Sequence, residues 1–243
     1  ALSHYNIAIK ALKNNCHVFI EKPFTVNLED AHKIVVEAKN NKKLIQVGHI
    51  ERFNPVFTHF ISSSPRPLFI EAERLTPFNV RGLDVNVVLD LMIHDIDLIL
   101  QIKQCAVKSI QAVGIKVLSK TTDLANARIT FDDNSVANLT ASRISDTAVR
   151  KLRLFSTQQY FSVDLQNHII NTYSVQKQQS CDNNTKLIFS GNNKFIVHKK
   201  ENIPKQNTLY EELVYFIKSI QTEKQTIVDA SAVIEAIKLS LLI

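Results

Sequence analysis

Two short stretches carry side chains able to do chemistry. The first is Val18-Phe19-Ile20-Glu21-Lys22-Pro23-Phe24, an apolar run that ends in an acid, a base and a proline. Proline has no N–H and a fixed φ, so it stops a strand and holds the preceding lysine at a set angle. A lysine on a rigid strand end can orient a hydroxyl or carbonyl by charge and hydrogen bond. The second stretch is Asp90-Leu91-Met92-Ile93-His94-Asp95-Ile96-Asp97. On a helix Asp90 and His94 stand at i, i+4, and His94 and Asp97 at i, i+3, so all three can share a side. A carboxylate beside a histidine holds its ring and supports its protonated form. Histidine is the side chain suited to passing a proton near neutral pH.

Each stretch also has a reading without chemistry: a strand that ends in a solvated Glu-Lys pair, and a surface Asp–His pair on a helix. For the second, the neighbours Val87, Val88, Leu89, Leu91, Ile93, Ile96 and Leu98 make the segment apolar nearly all round. Such a helix should be buried, and a buried Asp or His needs a partner or a cavity. His and Asp at this spacing lack the further ligands of a metal site, so no metal is expected.

The elements that must position these residues fall into two groups. Ser3 can cap a helix over about residues 4–14, and Val18-Phe19-Ile20 reads as a strand covered on both faces. Asn27 caps the next helix, and residues 44–47 form a second strand ending at Gly48. Helix–strand–helix–strand order predicts a parallel α/β unit over residues 1–51. Ligands of open α/β sheets bind beyond the carboxyl ends of the strands, where Lys22 stands. Residues 52–243 read differently. A short helix follows Asn54-Pro55, a strand spans 68–75, and Asp84 caps a long helix over about 85–102. Strand then follows strand from 106 to about 197, and two helices, 209–220 and 230–243, close the chain. The second domain is therefore expected to be a predominantly antiparallel β-sheet covered by helices. Along residues 136–141, Val136, Asn138 and Thr140 alternate with Ala137, Leu139 and Ala141, so one face should be buried and the other need cover or solvation.

Composition narrows the function classes. The 243 residues are 45% hydrophobic, enough for a real core. The net charge of +6 comes mostly from scattered lysines, with no basic helix and no RNA-binding aromatic signature, so no nucleic-acid partner is expected. No apolar run approaches a membrane span and no signal peptide precedes the first helix, so no membrane partner is expected. Cys16, Cys105 and Cys181 are odd in number and form no CxxC pair, which fits a reducing cytoplasm. The four glycines, Gly48, Gly82, Gly114 and Gly191, are far apart, so there is no GxGxxG turn and no P-loop.

Taken in order, these stretches resemble the glucose–fructose oxidoreductase / inositol dehydrogenase family, Gfo/Idh/MocA. The opening "SHYNIAIKALKNNCHVFIEKPFTVNLEDAHKIVVEAKNN" resembles its run through the Glu-Lys-Pro motif. "QVGHIERFNP" resembles its passage into the second domain, and "LDLMIHDIDLIL" its catalytic helix. "YEELVYFIKSIQTEKQTIVDASAVIEAIKLSLLI" resembles its closing helices. The resemblance implies oxidation or reduction of a sugar or polyol carbon with NAD or NADP. It implies that Lys22 contacts the substrate hydroxyl, that His94 is the general acid/base with Asp90 its partner, and that His4, Glu21 and Lys22 line the nicotinamide side. A cis Lys22–Pro23 bond is expected on the same ground, as is a homo-oligomer through the antiparallel sheet. The stretch before the catalytic helix looks most like members acting on UDP-N-acetylhexosamines. That makes Arg52, Arg74 and Arg81 candidate substrate contacts, since the guanidinium fork suits phosphates. The family's opening strand, glycine turn and first helix have no counterpart here. The chain is therefore expected to be a member lacking the first part of its Rossmann domain, impaired in cofactor binding and inactive alone. The alternative is a non-catalytic remnant that binds a sugar or self-associates.

Overall fold

The structure is a computed structural model that describes residues 3–63, 66–79, 85–177, 185–191, 194–224, 226, 228 and 230–243. In the first part, helix α1 (His4–Lys13) leads to strand β1 (Val18–Ile20), helix α2 (Leu28–Asn40) and strand β2 (Ile45–Val47). Asn27 begins α2 as its side chain predicts: its Oδ1 accepts from the Asp30 N–H at 2.8 Å. Ser3 does not cap α1. Its backbone is already helical, with φ −89° and ψ −11°, whereas a capping residue needs extended backbone to aim its hydroxyl back at the helix. The strands β1 and β2 pair in parallel, Val18 against Ile45 and Ile20 against Val47, among buried Ala8, Leu12, Ala31 and Ile34.

A 3-10 turn, Ile50–Phe53, leads to helix α3 (Pro55–Ser62). Pro55 occupies the first turn, and the Asn54 Oδ1 caps it by accepting from the Val56 N–H at 3.0 Å. Strand β3 (Phe69–Leu75) follows. The segment expected as one long helix is not a single α-helix. Val88–Met92 is a π turn, and only then comes α4 (Ile93–Lys103). Asp84, expected to cap it, lies outside the described residues. Asn86 caps it instead, its Oδ1 accepting from the Leu89 N–H at 2.9 Å.

The remaining strands are β4 (Val107–Ile115), β5 (Leu124–Phe131), β6 (Val136–Ser142), β7 (Val149–Phe155), β8 (Gln159–Asp164), β9 (Ile169–Gln176), β10 (Thr185–Gly191) and β11 (Lys194–Asn202). Helices α5 (Thr208–Thr222) and α6 (Ala230–Leu242) end the chain. Among the described residues β3 to β11 form one nine-stranded sheet, ordered β10-β11-β9-β8-β7-β3-β6-β5-β4. It is antiparallel except where β3 runs parallel to β6. Thus β3 sits in the interior of the sheet, so side chains on its inner face are shielded on both flanks.

The expected alternation holds. Ala137, Leu139 and Ala141 face a buried core shared with Ile70, Ile129, Leu152 and Leu154 of neighbouring strands and with Val88, Met92 and Ile96 of the π turn and α4. On the outer face an aromatic row crosses five strands: Phe69, Phe155, Tyr160, Tyr173 and His198. The last four stack with centroids 4.6, 5.3 and 4.5 Å apart. These rings are only partly buried.

A polar clasp fixes the approach to the π turn. Arg143, at the end of β6, donates from Nε to Asp123 Oδ1 at 2.9 Å and from Nη1 to the Val85 carbonyl at 3.0 Å. The other oxygen of Asp123 accepts from the N–H groups of Val117, Leu118 and Ser119. The Val87 N–H in turn donates to the Thr122 carbonyl at 3.0 Å. The start of the helix that carries Asp90 and His94 is thereby tied to the sheet.

Candidate active site

The site forms where the end of β1 meets the π turn. Lys22 follows β1, and its peptide bond to Pro23 is cis, as expected. Its ammonium donates to the main-chain carbonyl of Asp90 at 2.5 Å and to Asp90 Oδ1 at 2.7 Å. Asp90 therefore partners Lys22, not His94 as the i, i+4 spacing predicted. A π turn closes through i→i+5 bonds, so residues 90 and 94 lose the α-helical register that would stack them.

His94 begins the regular part of α4 and is buried. Its Nδ1 has no hydrogen-bond partner. Burial first, then the positive charges of Arg74 and Lys22, hold its pKa well below the ordinary imidazole value. The ring is thus neutral at pH 7.

His94 and Lys22 line one cavity of about 240 Å³ together with Glu51, Arg74, Thr76 and Arg150, between apolar walls from Ile50 and Leu91. Arg74 reaches it from β3. Its Nε and Nη2 donate to the Asp95 carboxylate at 2.8–3.1 Å, and its Nη1 donates to Glu51 Oε1 at 2.9 Å. Burial works against the Arg74 charge, but Asp95 and Glu51 outweigh it and hold the guanidinium pKa above normal. Burial likewise opposes the Glu51 charge. Arg74, Asn54 and Arg150 win, and the carboxyl stays below its usual pKa. Arg150, on β7, is 45% exposed at its side chain and lies 3.4 Å from Glu51.

The other predicted residues fall in several places. His4 does not enter the cavity; its Nδ1 meets the Pro23 carbonyl at 2.9 Å and braces the turn after Lys22. Glu21 is exposed beside Gly48, where an added Cβ would sit 2.7 Å from its Oε2. Nearby, Gln46 and Glu212 each keep one buried oxygen without a partner, and burial first, then the Glu21 charge, pushes the Glu212 carboxyl up to about 8. Arg52 is a correction. It is buried away from the cavity, with Nε and Nη2 on Asp97 at 2.7 and 2.5 Å, because the carboxylate on the apolar helix needs a cation of its own. Arg81 lies outside the described residues.

Sequence reasoning missed Glu51, Asp95 and Arg150. A signal existed for Asp95: a second and third carboxylate on an apolar helix demand cations, and Arg52 and Arg74 were the arginines at hand. A larger cavity, about 780 Å³, opens between α4, β4 and α6, with Leu100, Cys105, Val107 and Leu239 in its wall. It holds neither His94 nor Lys22. Size would favour it, but the convergent polar groups favour the smaller one. Among the described residues no group of three His, Cys, Asp or Glu could hold a metal, and no helix is long and apolar enough to cross a membrane.

Residues 1–49 match the oxidoreductase family with NAD-binding Rossmann fold, GFO/IDH/MocA, and residues 39–162 match the GFO/IDH/MocA C-terminal domain. The UDP-N-acetylglucosamine 3-dehydrogenase of Acidithiobacillus ferrooxidans is 36% identical over 172 residues, which cover 70% of this chain and 55% of that protein. The scyllo-inositol 2-dehydrogenase (NAD(+)) of Bacillus subtilis is 24% identical over 159 residues, 59% of this chain and 46% of that protein. The chain thus spans about half the length of the curated relatives it matches. A solved structure of the Acidithiobacillus enzyme superposes with a TM-score of 0.88 at 29% identity, covering 99% of this chain and 74% of that one. A scyllo-inositol dehydrogenase from Lactobacillus casei, solved with bound NAD(H) and scyllo-inositol, has the same fold with a TM-score of 0.71 at 17% identity.

The charge arrangement predicts an asymmetry between two arginines of the cavity. Arg74→Leu strands Asp95 and Glu51 as buried charges and should cost about 3–5 kcal/mol. Arg150→Leu removes a half-exposed contact and should cost less than about 1 kcal/mol. Urea unfolding of both variants checks this; equal losses would show that Arg74 does not hold the site together.

Proposed function

The chain belongs to the GFO/IDH/MocA oxidoreductase family, and on that premise we propose that it carries the catalytic residues of an NAD-dependent dehydrogenase acting on a nucleotide sugar. The first choice of substrate is UDP-N-acetylglucosamine, oxidised at the 3-hydroxyl, as in the Acidithiobacillus relative. The single observation that carries this reading is the cavity shared by Lys22 and neutral His94. We divide the chain at residue 51: residues 1–51 serve the cofactor, and 52–243 the substrate and self-association.

NAD, when bound, accepts the hydride from the carbinol carbon. The chain's own residues manage the proton. An ammonium has three N–H donors. Two of those of Lys22 go to Asp90, which leaves one for the substrate oxygen. His94, neutral, takes the hydroxyl proton as the hydride leaves, and Lys22 stabilises the charge that grows on the oxygen. Asp90 keeps the ammonium aimed. At about 240 Å³ the cavity is smaller than the ~300–1,000 Å³ that encloses a whole drug-sized ligand. It takes the reacting edge of the sugar, and the diphosphate stays outside. Arg150 at the mouth is the phosphate contact, in place of Arg52; Arg81 is kept as a second.

His4 and Glu21 serve the nicotinamide side. The acceptor oxygens of Glu21, exposed at the end of β1, fit ribose hydroxyls. The chemistry of the pyrophosphate is different: backbone N–H groups of a glycine turn hold it, and these 243 residues contain no such turn. The outer sheet face, with its aromatic row, pairs with a second copy. The site of action is the cytoplasm.

In an enzyme completed by a glycine-turn segment that holds the cofactor, His94→Gln should lower kcat by roughly 10²–10⁴-fold with little change in KM. Because its pKa is depressed, the neutral, proton-accepting form persists below pH 6.5, so the acid limb of the kcat profile should lie below that value. Unchanged turnover in the variant would remove His94 from the mechanism. Calorimetric titration of the 243-residue chain with NAD, and with NADP as the second cofactor, should give a Kd no tighter than about 1 mM, roughly −4 kcal/mol; micromolar binding would move the cofactor site elsewhere. Light scattering should report a dimer or larger assembly, and Tyr160→Lys, in the middle of the aromatic row, should shift it toward monomer. A monomer at high concentration in the unaltered chain would count against pairing.

A further inference from the structure

His49 follows Gly48 just past the end of β2 and is 1% exposed. No role for it follows from the hydride-transfer scheme. Neither of its ring nitrogens has a hydrogen-bond partner. Its Nδ1 stands 3.4 Å from Asp97 Oδ2, close enough for an ion pair but not aligned as a hydrogen bond. Its ring meets that of His94 edge-on, with centroids 6.2 Å apart and planes at 70°. His94 Nδ1 is buried without a partner as well. Two neighbouring buried rings thus hold three unpartnered nitrogens.

The donor and acceptor roles of these nitrogens follow from their neighbours. A neutral imidazole has one N–H and one bare nitrogen. To take a proton from substrate, His94 must present a bare Nε2 to the cavity, which puts its proton on buried Nδ1. Asp97 is pinned by the Arg52 fork and can only accept. It therefore draws the His49 proton to Nδ1 and leaves the His49 Nε2 bare. One ring then offers a donor without an acceptor, and the ring beside it an acceptor without a donor. Long or misaligned catalytic hydrogen bonds of unliganded enzymes commonly tighten when substrate docks.

We infer that His49 is a positioning residue: held by Asp97, it fixes His94 as the Nδ1–H tautomer, so that Nε2 faces the cavity as proton acceptor. The chain of contacts runs Arg52, Asp97, His49, His94. The outer partner of a working histidine sets which of its nitrogens is free. This inference rests on the role proposed for His94, but its test does not need turnover.

The test is long-range proton–nitrogen NMR of the ¹⁵N-histidine-labelled 243-residue chain at neutral pH. The expected result is His94 as a single Nδ1–H tautomer. In His49→Leu the two tautomers should mix, whereas His49→Gln, whose Oε1 can accept in place of Nε2, should keep Nδ1–H. In an enzyme completed by a glycine-turn segment and saturated with NAD, His49→Leu should lower kcat roughly 10–100-fold with KM little changed, and His49→Gln should recover most of it. A wild-type His94 carrying its proton on Nε2, or a tautomer unmoved by His49→Leu, would overturn the inference. If His49→Leu fails to fold, the wild-type spectrum and the Gln variant still decide. A fixed tautomer together with full turnover in His94→Gln would sink the dehydrogenase reading and leave this one standing.

Discussion

The buried guanidinium of Arg74 is the interaction on which the rest of the site hangs. It projects from the interior strand β3, 3% exposed, and grips Asp95 of α4 and Glu51 of the 3-10 turn at once. Three segments distant in sequence meet on one planar group. Taking such charges out of water is expensive, and only good geometry with every donor used offsets it. A lysine could not replace the fork, because it lacks the two parallel donors that hold Asp95. The helix that carries His94 is therefore locked to the sheet in one orientation.

The same helix is pinned twice more. Asp97 takes the Arg52 fork, and Asp90 takes Lys22. Carboxylates at 90, 95 and 97 thus bind the end of β1, the interior of the sheet and the 3-10 turn. His94 stands among them with no carboxylate of its own. Its surroundings are apolar walls and cations, and that combination keeps the ring neutral. A ring that stays neutral beside a lysine is the arrangement that the proposed proton transfer needs. The cations that keep the ring neutral are charge-balanced by Glu51, Asp90 and Asp95, so the site does not carry a large uncompensated charge into the core.

Much of this was legible in the residues. The proline after Lys22 announced a strand end with an aimed side chain. The cap at Asn27 and the alternation along residues 136–141 each led to the observed element, and the apolar stretch carrying polar groups was buried as expected, because each rests on local chemistry. What could not be read was long-range. Nothing in a sequence spacing marks a π turn, and that one widened turn moved Asp90 from His94 to Lys22. Arg52 looked available for a phosphate because its partner, 45 positions away, is visible only in the fold. Glu51 and Arg150 gave no signal, since their importance comes from sharing a cavity with β1 and β3. Ser3 failed as a cap because its backbone conformation, not its residue type, decides where the hydroxyl points.

The most direct test of the site is a crystal structure of the chain with UDP-N-acetylglucosamine. The expected result is the sugar's 3-hydroxyl within hydrogen-bond distance of both Lys22 Nζ and His94 Nε2, with the diphosphate outside the cavity near Arg150. A sugar bound away from His94, for instance in the larger cavity beside α6, would contradict it.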